Sequence, residues 1–197
     1  MVSIFNKDLC LCPNCQAEFE PLFVKFKVNG YHALSIYEYT PFIKKLIYLY
    51  KGCFDYELNE VFLNIFYKEI KLKYFGYTIV PIPSYIKDDE RRGFNHVVES
   101  FKKLGLNVLP IIEKTAHHKQ SDRTAEQRKE IGKYLVIKDK VNLEKTKVLI
   151  VDDIYTTGAT MNAAVNLIES LNPKCIKILV LAKTNDKDYK KVTKNNF

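Results

Sequence analysis

The sequence predicts an α/β fold built on a parallel sheet. Two observations carry that expectation. Strand-like apolar segments alternate with helix-like amphipathic ones along most of the chain, the pattern that lays helices over a parallel sheet. Val148–Val151 is also apolar without alternation, as a strand covered on both faces would be. In sheets of this kind ligands sit beyond the carboxyl ends of the strands. The residues just after each strand are therefore the first place to look for function.

The elements follow in order. Tyr31–Tyr39 alternates loosely and reads as a strand. Thr40-Pro41 gives a helix cap and a proline in the first turn, where a missing N–H costs nothing. Phe42, Leu46 and Leu49 then recur at helical spacing. Asp55 is placed to cap a second helix, with Leu58, Val61, Phe62, Ile65, Phe66 and Ile70 on one stripe. Tyr77–Pro83 is an apolar strand ending in Pro-Ile-Pro. Phe94, Val97, Val98, Phe101 and Leu104 mark a helix closed by Gly105, and Val108–Ile112 is another strand. Ala116–Lys133 is polar and charged, first a long mobile loop and then a surface helix. Lys133–Ile137 and Lys147–Val151 read as strands, Ala159–Leu171 as a helix and Cys175–Ala182 as a last strand. The expected organisation is a cysteine-containing segment over 1–30, one domain over 31–184 and a polar tail over 185–197.

Composition agrees with a folded domain. The chain has 197 residues, 47% of them hydrophobic, which excludes a disordered chain and suits a single core. No stretch approaches the roughly 20 apolar residues of a membrane span. Met1–Cys15 lacks the apolar centre of an export signal, so a soluble, cytoplasmic protein is expected. The net charge of +8 points to phosphate-bearing partners, nucleotide or nucleic acid. That excess is uneven: residues 84–138 hold twelve bases against eight acids, whereas 139–182 balance at five and five.

There are five cysteines, Cys10, Cys12, Cys15, Cys53 and Cys175, and an odd number argues against a disulfide framework. Cys12-Pro13-Asn14-Cys15 has the spacing of half a structural zinc site. Cys10 is a candidate third ligand, with Cys53 or His32 as the fourth; a reactive or vestigial cluster is the other reading. Cys175 opens an apolar strand and reads as a core residue.

The most informative stretch runs from Val148 to Met161. A buried strand leads into Asp152 and Asp153, then into a short loop, Thr156-Thr157-Gly158-Ala159-Thr160, that opens a helix. A helix start offers unpaired N–H groups and the positive end of the dipole. Gly158 lets the backbone approach a ligand closely, and the threonine hydroxyls add donors. Such a loop suits one phosphate group. Two carboxylates just upstream suit hydroxyls or a magnesium ion. A ribose 5-phosphate has that layout. Walker A and G-x-G-x-x-G patterns are both absent.

The same stretch resembles the phosphoribosyl pyrophosphate (PRPP) signature of type I phosphoribosyltransferases. Val80-Pro81-Ile82-Pro83 followed by Glu90-Arg91-Arg92-Gly93-Phe94-Asn95 resembles the "PxP … RGFN" block of the ComF family. Lys114-Thr115, Gln120 and Arg128 resemble that family's "K-T … Q … R" loop, and the cysteine knuckle also fits. A second cysteine pair usual in the family is missing, and Ile131 stands where the family often has Asn.

The resemblance implies a type I phosphoribosyltransferase-like parallel sheet with flanking helices. It implies that Thr156–Thr160 hold the 5-phosphate, and that Asp152 and Asp153 take the ribose hydroxyls directly or through Mg2+. Pro83 and Ser84, with Arg91 and Arg92, would serve the pyrophosphate, since guanidinium pairs bidentately with phosphate oxygens. The loop with Lys114, Gln120 and Arg128, which also carries His117, His118, Lys119 and Arg123, would close over the ligand. Thr156 stands where hypoxanthine-guanine enzymes carry an Asp, which disfavours purine salvage with an Asp general base. The family role implied is DNA uptake in natural transformation, on single-stranded DNA with a helicase partner; charge and aromatic residues suit strand binding. The competing readings are a nucleobase-salvage phosphoribosyltransferase, its hood supplied by the aromatic N-terminal third, and a PRPP-sensing protein without turnover.

Overall fold

Six strands share one sheet in the computed structural model, which describes residues 13–64, 66–115, 134–138 and 141–185. The hairpin β1 (Val24–Val28) and β2 (Tyr31–Glu38) forms one edge. The centre is β8 (Cys175–Lys183) beside β7 (Lys147–Tyr155), followed by β3 (Tyr77–Pro81) and the short β4 (Asn107–Val108). Only the β1–β2 pairing in this sheet is antiparallel; the other four are parallel, as the sequence predicts. Val148–Val151 and Ile178–Ala182 have no solvent exposure at all, which is why these runs are apolar without alternation.

Alternate residues of the central strands feed two cores. Leu149, Val151, Leu179 and Leu181 pack on one face with α2 (Pro41–Gly52), α3 (Tyr67–Lys73) and α5 (His96–Lys102). Val148, Ile150, Ile178 and Val180 pack on the other with α6 (Ala159–Glu169). Two further short helices are α1 (Pro13–Ala17) and α4 (Ile86–Arg92), and β5 (Ile112–Lys114) pairs with β6 (Leu135–Ile137) in a separate antiparallel ribbon. Thr40 caps α2 as expected, its hydroxyl accepting from the Ile43 N–H at 3.2 Å.

Four local expectations need correction. The helix expected from Asp55 to Ile70 is a 3-10 turn over Tyr56–Asn59, a run of turns, and then α3. Asp55 makes no capping bond, and Val61, Phe62, Leu63 and Asn64 are all buried in succession, so no single helical stripe carries the burial. The strand expected over Val108–Ile112 is divided between two sheets. Leu109 donates its N–H to Ile79 at 2.8 Å, but Pro110 has no N–H to continue the ladder, and the chain leaves for β5. Helix α4 was not expected because none of its residues is buried, so it carries no apolar period. Its signals are electrostatic: Asp88 and Asp89 in the first turn, Arg91 and Arg92 in the last, and Gly93 at φ +83° closing it. Finally, β7 runs on through the acid pair to Tyr155 instead of ending at Val151.

Candidate functional site

The carboxyl end of β7 is held in register far beyond its apolar core. Asp152 pairs with Val180, Ile154 with Ala182 and Tyr155 with Lys183 of β8. The two acids therefore sit on a braced strand, not on a loop. The loop itself is short. Thr156 and Thr157 are exposed, and Gly158, at φ +77° and ψ 0°, starts α6. Glycine is required there twice over: the left-handed backbone disfavours any Cβ, and a Cβ would collide with the Tyr155 hydroxyl. The Thr157 hydroxyl accepts the Ala159 N–H at 3.4 Å, and the Gly158 carbonyl accepts from the Asn162 N–H at 2.7 Å. Among the described residues the N–H groups of Thr156, Gly158 and Thr160 have no acceptor.

The two carboxyls, equivalent in sequence, have opposite surroundings. Asp153 is buried, and its Oδ2 accepts from Lys51 Nζ at 2.7 Å and from His96 Nε2 at 3.2 Å. Burial opposes its charge, but Lys51 first and His96 second outweigh it and hold the carboxyl well below the usual range. Lys51 responds in kind: burial works against its charge, yet Asp153 keeps its pKa above the ordinary lysine value. Asp152 is pushed well above the usual carboxyl range, by burial and then by the charge of Asp153. Its Oδ1 accepts the neighbouring Asp153 N–H at 2.8 Å; no described cation lies within ion-pair distance, and the Lys51 charge offsets the rise only in part. Asp153 is ion-paired within the fold, whereas Asp152 is not.

The framework extends into the Arg-Gly-Phe-Asn block. Arg92 Nη1 lies 3.1 Å from His96 Nδ1 and 2.8 Å from Asp89 Oδ1, and its Nε donates to the Lys51 carbonyl at 3.0 Å. An arginine nitrogen can only donate, so His96 Nδ1 accepts and Nε2 carries the proton toward Asp153. Asn95 donates to Asp89 Oδ2 at 2.8 Å and caps α5 by accepting from the Val98 N–H at 2.9 Å. Ser84 donates to Asp89 Oδ1. Tyr50 and Ser100 both donate to the His96 carbonyl, at 2.9 Å and 2.8 Å. A closed ring of side chains thus ties the ends of α2, α4 and β7 to the start of α5.

The residues singled out from sequence divide accordingly. Asp152, Asp153 and Thr156–Thr160 come together at the end of β7 as expected. Pro83 and Ser84 follow β3, beside β7, where the Ile82 N–H donates to the Val151 carbonyl at 2.9 Å. The Ser84 hydroxyl is engaged by Asp89. Arg92 is only 8% exposed at its side chain and belongs to the ring, whereas Arg91 is exposed, its guanidinium 5.3 Å from the Phe54 ring centre. Lys114 ends β5 and is half-buried; Gln120, Arg128 and the rest of that loop lie outside the described residues. So do Cys10 and Cys12, while Cys15 lies on α1. Among the described residues no group of three His, Cys, Asp or Glu side chains could hold a metal ion. Lys51 and His96 were not foreseen: nothing local distinguishes them, apart from the position of His96 just after the Arg-Gly-Phe-Asn block.

Several known proteins are similar to this chain. A phosphoribosyl transferase domain model matches residues 90–196, a span that holds Arg92, His96, both acids, the loop and α6. Competence protein ComFC of Streptococcus pneumoniae is 30% identical over 90% of this chain and 90% of its own. An adenine phosphoribosyltransferase of Campylobacter jejuni is 30% identical over 65% of this chain and 69% of its own. Among solved structures, the adenine phosphoribosyltransferase of Saccharomyces cerevisiae covers 93% of this chain and 95% of its own, at 17% identity and a TM-score of 0.44. Among the described residues no helix is long and apolar enough to cross a membrane. With a ComFC relative matched along nine-tenths of both chains and the phosphoribosyl transferase model over more than half of this one, the chain belongs to the ComF family of phosphoribosyltransferase-fold proteins.

Proposed function

We propose that the end of β7 binds PRPP with Mg2+, and that the chain serves DNA uptake by acting on single-stranded DNA. The observation that carries the ligand assignment is the juxtaposition of Asp152 with the Gly158 turn: one carboxyl without a cation, directly before a helix start with unpaired N–H groups. In this reading the 5-phosphate takes the N–H groups of Thr156–Thr160, displacing the long Thr157–Ala159 bond. The ribose hydroxyls donate to Asp152. Magnesium keeps most of its waters and needs only one or two carboxylates beside substrate phosphates, so Asp152 fits as its protein ligand. When bound, the ion would offset the charge that develops on departing pyrophosphate. Asp153 does not touch the ribose here; it keeps β7, α2 and α5 in the arrangement that presents Asp152. Arg91, exposed beside Phe54, is the arginine available to pyrophosphate, and Arg92 is not. The uptake role rests on the ComFC relatives and the net charge of +8.

A second reading, nucleobase salvage, is favoured by the adenine phosphoribosyltransferase relatives. Titration calorimetry with PRPP and Mg2+ tests the shared step. Binding by the wild type, weakened at least tenfold by Asp152→Asn, is the expected result. No binding by the wild type would remove both readings. Pyrophosphate release on adding adenine would favour salvage over uptake.

A further inference from the structure

The opposite end of the sheet, where the parallel strands begin, carries an unassigned basic face. The sheet register assembles it. Tyr77, Lys147 and Cys175 lie level on β3, β7 and β8. Lys27 pairs with His32, and because the next residue, Ala33, pairs with Ile178, Lys177 lies beside His32. Lys25 pairs with Leu34 one step further along the same face. Lys73, at the end of α3, joins the group from above. Lys25, Lys27, His32, Lys73 and Lys147 are exposed and Lys177 half-buried.

Three of these cations, Lys73, Lys147 and Lys177, rest on aromatic rings. Lys147 and Lys177 lie 5.7 and 5.1 Å from the Tyr77 ring centre, and Lys73 and Lys177 lie 5.9 and 6.0 Å from that of Tyr74. Among the described residues none of the five lysines has a carboxylate partner. The lysine ammonium of residue 73 is destabilised, first by partial burial and then by Lys25 and Lys177. In the α3–β3 turn, two residues after Lys73, Phe75 is 76% exposed, and Leu72, on the last turn of α3, is 79% exposed. A row of uncompensated cations next to a bare aromatic ring matches a chain that alternates phosphates with flat apolar bases.

We propose that this face, formed by Lys25, Lys27, Lys73, Lys147 and Lys177 with Phe75, binds single-stranded nucleic acid, phosphates on the lysines and a base on Phe75. The proposal deepens the uptake reading by naming its surface, and it places strand binding at the pole remote from the ribose-phosphate site. The two sites can therefore be occupied together.

Fluorescence anisotropy of a labelled oligothymidylate tests it with the full chain. Lys73→Gln with Lys177→Gln should weaken binding about tenfold at moderate salt and lower the log–log salt slope by about 1.4. Phe75→Ala should cost roughly 5- to 150-fold with the slope unchanged. Asp152→Asn, at the other pole, should leave oligonucleotide binding intact. Thermal melting of each variant establishes that it is folded. Wild-type binding that persists in folded variants at both lysines and Phe75 overturns this surface alone. Failure of the wild type to bind the oligonucleotide overturns the uptake reading with it. Binding to phosphatidylserine vesicles without oligonucleotide binding would reassign the face to a membrane and overturn the proposal.

Discussion

The two poles of the sheet manage charge in opposite ways. At the carboxyl ends, Lys51, His96 and Arg92 are each matched to a carboxylate or its hydrogen-bonded relay, and the group is largely withdrawn from water. At the amino ends, lysines of the same sheet sit over tyrosine rings with no carboxylate among the described residues. Matched and buried charge fixes geometry, because removing one member leaves its partner stranded. Unmatched and exposed charge contributes little to the fold but attracts a mobile polyanion. The candidate ligand site relies on backbone N–H groups and one carboxyl, in a segment, residues 139–182, whose charges balance.

The largest test of this contrast is Asp153→Asn. It strands Lys51, removes the acceptor of His96 Nε2, and should cost about 3 kcal/mol. For a chain of this size that lowers Tm by roughly 6–12 °C, read by calorimetry or circular dichroism. The pH dependence has a definite sign. Asp153 titrates well below its unfolded value, so its contribution is present above the unfolded carboxyl pKa and is lost as pH falls through the folded one. An unchanged Tm for Asp153→Asn would mean that the ring is incidental.

Gly158→Ala comes next. A left-handed alanine costs about 1–2 kcal/mol, and Tyr155 must also move off its place against Phe26, where the ring centres are 4.7 Å apart. PRPP binding should fall at least a hundredfold, beyond what the stability loss explains, because the phosphate loop itself is displaced. Full PRPP binding by a folded Gly158→Ala protein would remove the loop from the site.

At the other pole, Lys73→Gln and Lys177→Gln should each change stability by less than about 0.5 kcal/mol. Any shift should be upward in low salt, where the mutual repulsion of Lys25, Lys73 and Lys177 is least screened. Destabilisation comparable with that of Asp153→Asn would erase the distinction between the poles.

The same contrast explains what the sequence made legible. The buried run Val148–Val151, the acids, Gly158 and the helix behind it are contiguous, so pattern alone placed the strand, the loop and α6. The partners of Asp153 are not contiguous: Lys51 lies 102 residues away and His96 57, and only the packing of α2 and α5 on one face of the sheet joins them. Arg92 reads from sequence as a partner of Arg91 for pyrophosphate, yet it points into the ring. Helix α4 and the 56–64 turns escaped for complementary reasons, one having no buried side and the other no exposed one over Val61–Asn64. The basic face was divided among β1, α3, β7 and β8, and only the register collects it. The candidate zinc ligands Cys10 and Cys12 and the loop with Gln120 and Arg128 lie outside the described residues.

Asp152→Asn has the sharpest sign. Asp152 is raised well above its unfolded value, by burial first and then by Asp153. Its ionised form is therefore less favourable folded than unfolded. The penalty is absent below the unfolded carboxyl pKa, grows as pH rises through it, and is complete above the folded pKa. Asparagine keeps the size and the acceptor oxygen for the Asp153 N–H but cannot ionise. Asp152→Asn should thus stabilise the fold at neutral pH by about 1 kcal/mol, the gain expected on relieving a group held for function, and the gain should vanish in acid. The adjacent, chemically identical substitution at Asp153 moves stability the other way. A ligand that donates hydroxyls to Asp152, or a magnesium ion, removes the penalty by supplying the missing partner, so PRPP with Mg2+ should stabilise the wild type and leave Asp152→Asn nearly unchanged. Equal ligand-induced shifts in Tm for the two proteins would take Asp152 out of the site.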